Sequence, residues 1–152
     1  MSIPSITNPG FEDGTLPWAG SIAQSNTYVH EGSWSGAILT NDSTVTGYQD
    51  ISWDANYQSG TFTFQMYTRG RSSIASNGKL GIYDGLTTTY GDAYMGASFT
   101  LVTVTKKLAY NATGLRLICW ASSAQEQVET TSFDDATLTA TLYKGQRVIF
   151  II

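Results

Sequence analysis

Apolar and polar residues alternate strictly in the segment Thr61-Phe62-Thr63-Phe64-Gln65-Met66-Tyr67. Successive side chains of a β-strand point to opposite faces of a sheet, so Phe62, Phe64 and Met66 share one face. Gln65 and its polar neighbours then share the other face. The segment therefore predicts a strand that is buried on one side and faces solvent on the other.

The same period of two recurs along most of the chain, and no segment shows a convincing helical period. Turn signals such as Asn77-Gly78 and Asp84-Gly85 separate the alternating segments. Eight or nine short strands of this kind indicate an all-β fold, namely a two-sheet antiparallel β-sandwich. Besides 61–67, strands are predicted at 21–29, 36–40, 48–53, 79–83, 99–108, 115–120 and 137–142.

Length and charge restrict the classes of protein that this chain can represent. With 152 residues it fits one domain. The net charge is -4, and nucleic-acid binding requires a basic patch, so no nucleic-acid partner is expected. No apolar run approaches the roughly 18 residues of a membrane span, so no membrane insertion is expected. The N-terminus shows no secretory signal, and we expect the chain to be a complete gene product.

The residues that enzymes use are scarce, so the sequence predicts a protein that is not an enzyme. Cys119 is the single cysteine, which excludes an internal disulfide and a multi-cysteine zinc site. His30 has no Ser or Cys nucleophile motif to serve, and no G-x-S-x-G motif occurs. No pair of carboxylates has the sequence setting of a glycosidase. Cys119 lies in an apolar strand, where burial as a core residue is expected.

Four ordered motifs resemble the jelly-roll carbohydrate-binding modules that accompany xylanases and cellulases. The resemblance covers residues 8–139 and implies the jelly-roll fold and binding to a glycan. In order, the motifs are Asn8-Pro9-Gly10-Phe11-Glu12-Asp13-Gly14 followed by Trp18, Glu31-Gly32-Ser33-Trp34-Ser35, Tyr48-Gln49-Asp50-Ile51, and Phe133-Asp134-Asp135-Ala136-Thr137-Leu138.

The resemblance also implies a structural calcium ion near one end of the sandwich. Carried over to this sequence, its ligands would be Glu12, Asp134 or Asp135, and backbone carbonyls around Gly32 and Ser33. Calcium accepts six to eight hard oxygen ligands, including backbone carbonyls. In the alternative interpretation these carboxylates cap turns and accept backbone N–H bonds.

A sugar-binding surface needs aromatic rings that stack on sugars and planar polar groups that bind hydroxyls. The outward faces of the predicted strands offer such residues on strands that are expected to be neighbours. Trp120 is the principal candidate; alternatively, it packs under a loop or into a subunit contact. The predicted ligand-binding residues are Trp120, Tyr67, Gln65, Arg116 and Tyr83.

Both chain ends have features that suggest assembly. Residues 148–152 form an apolar, largely β-branched run, which would promote aggregation if exposed. This run is expected either to complete the domain's own sheet or to add a strand to a neighbouring subunit. The predicted organisation is an N-terminal arm at 1–7, a jelly-roll domain at 8–142 and a C-terminal apolar strand or arm at 143–152. These ends lead us to expect a homo-oligomer, with a trimer as the first guess, since heterologous contacts close into rings.

These expectations leave two functional classes open. In the first, the chain is a structural protein of a virion surface, made in the host cytoplasm, that decorates a capsid or tail. Such a protein would self-associate, contact a capsid or tail protein and bind glycans. In the second, it is the glycan-binding module of an extracellular polysaccharide-degrading enzyme or adhesin. The low charge and the apolar ends favour the first class.

Overall fold

A computed structural model describes residues 3–71, 77–124, 128–144 and 147–151, which form an antiparallel two-sheet sandwich. The predicted all-β class is confirmed; one turn of 3₁₀ helix at Ala55–Tyr57 is the only helix in these ranges. The strands are β1 (Ala19–Gly20), β2 (Ile22–Ser25), β3 (Ser35–Thr40), β4 (Ser43–Asp50), β5 (Thr61–Arg69), β6 (Asn77–Tyr83), β7 (Thr88–Tyr90), β8 (Thr100–Lys107), β9 (Arg116–Ser123), β10 (Glu129–Lys144) and β11 (Arg147–Ile151).

Two sheets face each other. The five-stranded sheet has the order β1-β4-β9-β6-β7. The six-stranded sheet has the order β2-β3-β10-β5-β8, with β11 paired to β10. From β3 to β6, consecutive strands alternate between the sheets, as the jelly-roll topology requires. No helix in the described ranges is long and apolar enough to cross a membrane.

The core lies between the sheets and follows the alternation seen in the sequence. Phe62, Phe64 and Met66 of β5 are fully buried. From the opposite sheet, Leu117 and Cys119 of β9 point inward, and the Cys119 Sγ lies 3.4 Å from the Met66 Sδ. The period of two in the sequence thus arises because each strand contributes every second residue to one shared core.

The N-terminal motif packs into this core through Phe11. The Phe11 ring is fully buried, and it stacks on Trp18 with ring centroids 5.2 Å apart. It also lies directly against the backbone of Gly36 in β3, where a side chain would overlap the ring. Asn8 closes the turn by donating from its side chain to the Gly14 carbonyl at 2.8 Å. The N-terminal motif is therefore anchored on β3 through Phe11.

The sequence predicted only part of β10, the longest strand. The prediction covered 137–142, whereas the strand runs from Glu129 to Lys144. A register shift between Asp134 and Thr137 interrupts its pairing with β5, and Asp135 has a positive φ of 50°. This bulge changes the phase of the alternation, so a period of two does not persist across it. The sequence predicted eight or nine strands, whereas the described residues form eleven. The difference arises because short strands such as β7 carry little periodic signal.

Both chain ends lie against the sandwich where they are described. Strand β11 pairs with β10 of the same chain, with Leu142 opposite Ile149. At the other end, Thr7 donates its N–H to the Gln49 Oε1 at 2.8 Å and accepts from the Gln49 Nε2 at 2.9 Å. Residues 1, 2, 145, 146 and 152 of the predicted arms lie outside the described residues.

We expect Gly36→Ala to destabilise the protein by about 1–3 kcal/mol, because the new Cβ would lie 2.7 Å from the Phe11 Cε1 and Cε2 and closer still to the Cζ. Gly114→Ala is the matched control, since a Cβ there would meet no atom within 4 Å. Urea unfolding of both variants measures the difference. Equal stability of the two would contradict the close packing of Phe11 on Gly36.

Candidate functional site

The outer face of the five-stranded sheet brings together three of the predicted ligand-binding residues. On β9, Trp120 and Arg116 point outward while their neighbours point into the core. Trp120 lies opposite Lys79 of β6, and Arg116 lies opposite Tyr83 of the same strand. Trp120, Arg116 and Tyr83 therefore share one surface, and each is partly exposed.

Lys79 lies between two aromatic rings on this surface. Its Nζ is 4.1 Å from the centroid of Trp120 and 4.7 Å from the centroid of Tyr90. Gly81, the next outward position of β6, leaves room for the Tyr90 ring, because a Cβ there would lie 2.7 Å from the Tyr90 Cε1. Cation–π attraction thus holds the ammonium group beside both rings.

Arg116 is fixed in a similar way at the other end of the surface. Its guanidinium carbon lies 3.9 Å from the centroid of Tyr48. Its Nε and Nη2 donate to the Asp50 carboxylate at 2.7 and 3.0 Å. These hydrogen bonds to the Asp50 carboxylate raise the pKa of Arg116 above its ordinary value. We call this surface the aromatic face; it consists of Tyr48, Tyr83, Tyr90, Trp120, Lys79, Arg116 and Asp50.

Reasoning from the sequence missed Tyr48, Tyr90 and Lys79 as members of this face. Tyr48 stands in the quoted Gln49 motif, and Tyr90 lies in a segment without strong alternation. Their positions depend on the register between strands, which pairs Tyr90 with Gly81 and Tyr48 with Ile118. A single sequence contains no direct signal for that register.

The expectation that Gln65 and Tyr67 lie beside Trp120 is wrong. Both belong to β5 in the six-stranded sheet, so they face the opposite side of the sandwich. Gln65 donates to the Thr103 Oγ1 at 3.0 Å, and Tyr67 stacks on the His30 ring with centroids 3.7 Å apart. Alternation shows that a side chain points outward, but it does not show which sheet its strand joins.

The predicted calcium ligands lie close together near the turn at 30–34. Glu12 accepts backbone N–H bonds from Ser33 at 3.0 Å and from Trp34 at 3.1 Å. Gly32 has a φ of +75°, and a Cβ there would overlap the Glu12 carboxylate. The turn therefore requires glycine at 32, and Glu12 caps the amides that follow it.

Asp134 forms the buried part of the same cluster. It is fully buried, and it accepts N–H bonds from His30 at 2.9 Å and from Asp135 at 2.8 Å. Burial raises the pKa of Asp134 to about 6, and the nearby charge of Asp135 raises it further, against the opposing hydrogen bond from His30. The His30 Nδ1 lies 2.6 Å from the Asp135 Oδ2.

The fit of this cluster to a cation is partial. A Cβ on Gly10 would lie 3.4 Å from the Asp135 Oδ1 and 3.6 Å from the Asp134 Oδ1, so two carboxylates approach one point, whereas the nearest Glu12 atom there is its Cγ, 3.8 Å away. No group of three His, Cys, Asp or Glu with metal-binding geometry occurs in the described residues. The observed contacts are backbone N–H bonds, as in the turn-capping interpretation. Calcium with Glu12, Asp134 or Asp135 and the carbonyls of Gly32 and Ser33 stays a prediction.

Cys119 is the single cysteine of the chain and His30 its single histidine, and these residue types often act as nucleophile and general base. Cys119 is fully buried, and burial raises the pKa of its thiol, which disfavours the reactive thiolate. His30 contacts Asp135, Tyr67 and Phe99. These contacts give His30 a structural role in packing the turn at 30–34 against the six-stranded sheet.

No family model matches the chain, and no curated protein matches its sequence. Solved structures do match its fold. A family 61 carbohydrate-binding module in complex with β-1,4-galactotriose has a TM-score of 0.61 and 16% identity over 90% of this chain and 98% of the module. A family 16 carbohydrate-binding module has a TM-score of 0.63 and 12% identity over 88% and 97%.

The structure of the enzymatically active domain of tailspike protein 4 from bacteriophage CBA120 also matches the fold of this chain. The TM-score is 0.60 at 11% identity, over 90% of this chain and 21% of the tailspike chain. At these identities the similarity establishes the fold. The protein has the jelly-roll fold of carbohydrate-binding modules, as the sequence motifs predicted.

Proposed function

We propose that the protein is a non-catalytic glycan-binding protein that holds sugar rings on its aromatic face. The observation that carries this proposal is the cluster of Tyr48, Tyr83, Tyr90 and Trp120 on one outer face, interleaved with the polar groups of Arg116 and Asp50. The fold shared with carbohydrate-binding modules, one of them bound to a galactotriose, supports it.

The chemistry of the face suits a sugar. Sugar rings present C–H groups that pack on aromatic rings, and hydroxyls that need planar donors and acceptors. The aromatic face extends across four neighbouring strands, β4, β9, β6 and β7, which is about 14 Å at the usual strand spacing. An open surface of this width accommodates part of a chain of sugars, with ends that continue beyond the protein.

Trp120→Ala should weaken glycan binding about tenfold or more, because truncating a central aromatic anchor typically costs at least about 1.4 kcal/mol. Gln65→Ala is the control, since Gln65 lies on the opposite sheet. Calorimetric titration of both variants against a panel of soluble oligosaccharides gives the comparison. Equal affinities of the two variants, with the fold intact, would contradict the proposed site.

The proposed context is a virion surface, where the protein would decorate a capsid or tail and self-associate. The low content of charged residues and the apolar C-terminal run support this context, and so does the fold shared with part of a phage tailspike chain. The alternative is a glycan-binding module of an extracellular polysaccharide-degrading enzyme or adhesin. It is favoured by the fold shared with part of a xylanase structure that contains a family 22 carbohydrate-binding module and is complexed with xylohexaose.

Self-association would use the C-terminal strand. Among the described strands, β11 pairs with β10 alone, so its second edge is the proposed contact. We expect the full chain to have the solution mass of a trimer, and a chain truncated after Tyr143 to be monomeric. Phe150→Lys keeps the chain length and tests the same strand, and thermal melting checks that each variant is folded. A monomeric full chain at all concentrations would refute the trimer.

Calcium is proposed at the cluster of Glu12, Asp134 and Asp135. We expect calcium to raise the melting temperature at pH 7.5 and a chelator to reverse the rise, because a ligand held only by the folded state stabilises it. The rise should be smaller at pH 5, since the pKa of Asp134 is about 6 and protons then compete with the cation. Without calcium, stability falls as pH rises from about 4 through 6, because the folded state holds this proton more tightly.

Glu12→Gln should abolish the calcium effect, whereas Asp13→Asn removes one charge from the same turn and serves as the control. An unchanged melting temperature in calcium and in chelator would rule out the ion. In that case the carboxylates would act solely as caps for the turn at 30–34.

A further inference from the structure

The aromatic face carries two cations, and only one of them is neutralised. Arg116 is paired with Asp50 through two hydrogen bonds. Lys79 forms no ion pair with any described residue; its described contacts on this face are the rings of Trp120 and Tyr90. Among the described residues, the face therefore has one positive charge without an ion-pair partner, although the chain as a whole carries a net charge of -4.

The charge of Lys79 lies beside the rings on which a bound sugar would pack. Lys79 is directly opposite Trp120 in the sheet, and its ammonium group lies within 5 Å of both ring centroids. A ring face attracts the charge but accepts no conventional hydrogen bond, so the three N–H donors of the ammonium remain available to an anion. The two rings fix the position of this donor, which reduces the entropy that Lys79 loses on binding.

We propose that the glycan bound by this protein is acidic, and that Lys79 binds its anionic group while the sugar ring packs on Trp120 and Tyr90. This inference rests on the proposed glycan-binding function and adds the class of ligand. An ammonium group is a compact point charge without the planar fork of arginine. It therefore binds a carboxylate of a uronic acid or a sulfate ester, and the experiment distinguishes these two groups.

The charge distribution also indicates how the acidic groups are spaced. One unpaired cation on the face matches one anionic group in contact with it. The net charge of -4 repels a densely charged polyanion at low ionic strength, where charges interact over tens of ångströms. The ligand expected is a largely neutral chain with isolated acidic sugars, such as a xylan that carries occasional glucuronate branches.

The test compares pairs of ligands that differ in whether they carry acidic groups. Xylo-oligosaccharides with and without a glucuronate branch form the first pair, trigalacturonate and its methyl ester form the second, and a neutral galactose oligosaccharide and its sulfated form give the third. We expect the acidic member of at least one pair to bind about fivefold more tightly at low salt, as for a partly exposed ion pair. High salt should reduce this preference.

Lys79→Met should remove the preference, so that the acidic and neutral members of each pair bind with affinities equal within about twofold, since the charge is lost and the apolar stem that packs on the rings is retained. Lys107→Met is the matched control, because Lys107 is an exposed lysine on β8 of the opposite sheet. A preference that persists in Lys79→Met, or that Lys107→Met removes equally, would overturn the role of Lys79.

The outcomes separate this inference from the proposed function. Binding of neutral glycans through Trp120, with no preference for any acidic partner, would overturn the inference and leave the proposed function intact. Failure of every oligosaccharide to bind, whether neutral, carboxylated or sulfated, would overturn both. Preference in the sulfated pair alone would identify the anionic group as a sulfate ester.

Discussion

The packing of the Phe11 ring on Gly36 holds the N-terminal motif to the sandwich. Because Gly36 has no side chain, the ring reaches the backbone of β3 and stacks on Trp18. The residue after Phe11 is Glu12, whose carboxylate then meets the amides of Ser33 and Trp34. This close contact thus places the N-terminal motif on β3 and brings Glu12 near Asp134 and Asp135 of β10.

The sequence predicted the fold well because the signal for it is local. Alternation in segments such as 61–67 identifies both the strands and their buried faces, and Phe62, Phe64 and Met66 are buried as expected. The carboxylate cluster was also accessible, through a resemblance that places Glu12 and Asp134 in ordered motifs. In both cases the residues themselves carry the information.

The candidate site was only partly accessible because it depends on pairing between distant strands. Trp120, Arg116 and Tyr83 were placed on one surface, but Gln65 and Tyr67 belong to the other sheet. The bulge at Asp134–Thr137 similarly hides the continuity of β10. The sheet that a strand joins, and its register, follow from the global packing of apolar faces, to which every strand contributes.

The C-terminal strand belongs to the sheet opposite the aromatic face. A linker, dye or solid support attached to β11 would therefore lie on the sheet opposite Tyr48, Trp120 and Tyr90. Molecules immobilised in this way would share one orientation, with their proposed binding surface turned away from the support. The topology thus makes this small sandwich suitable for oriented attachment to a sensor surface.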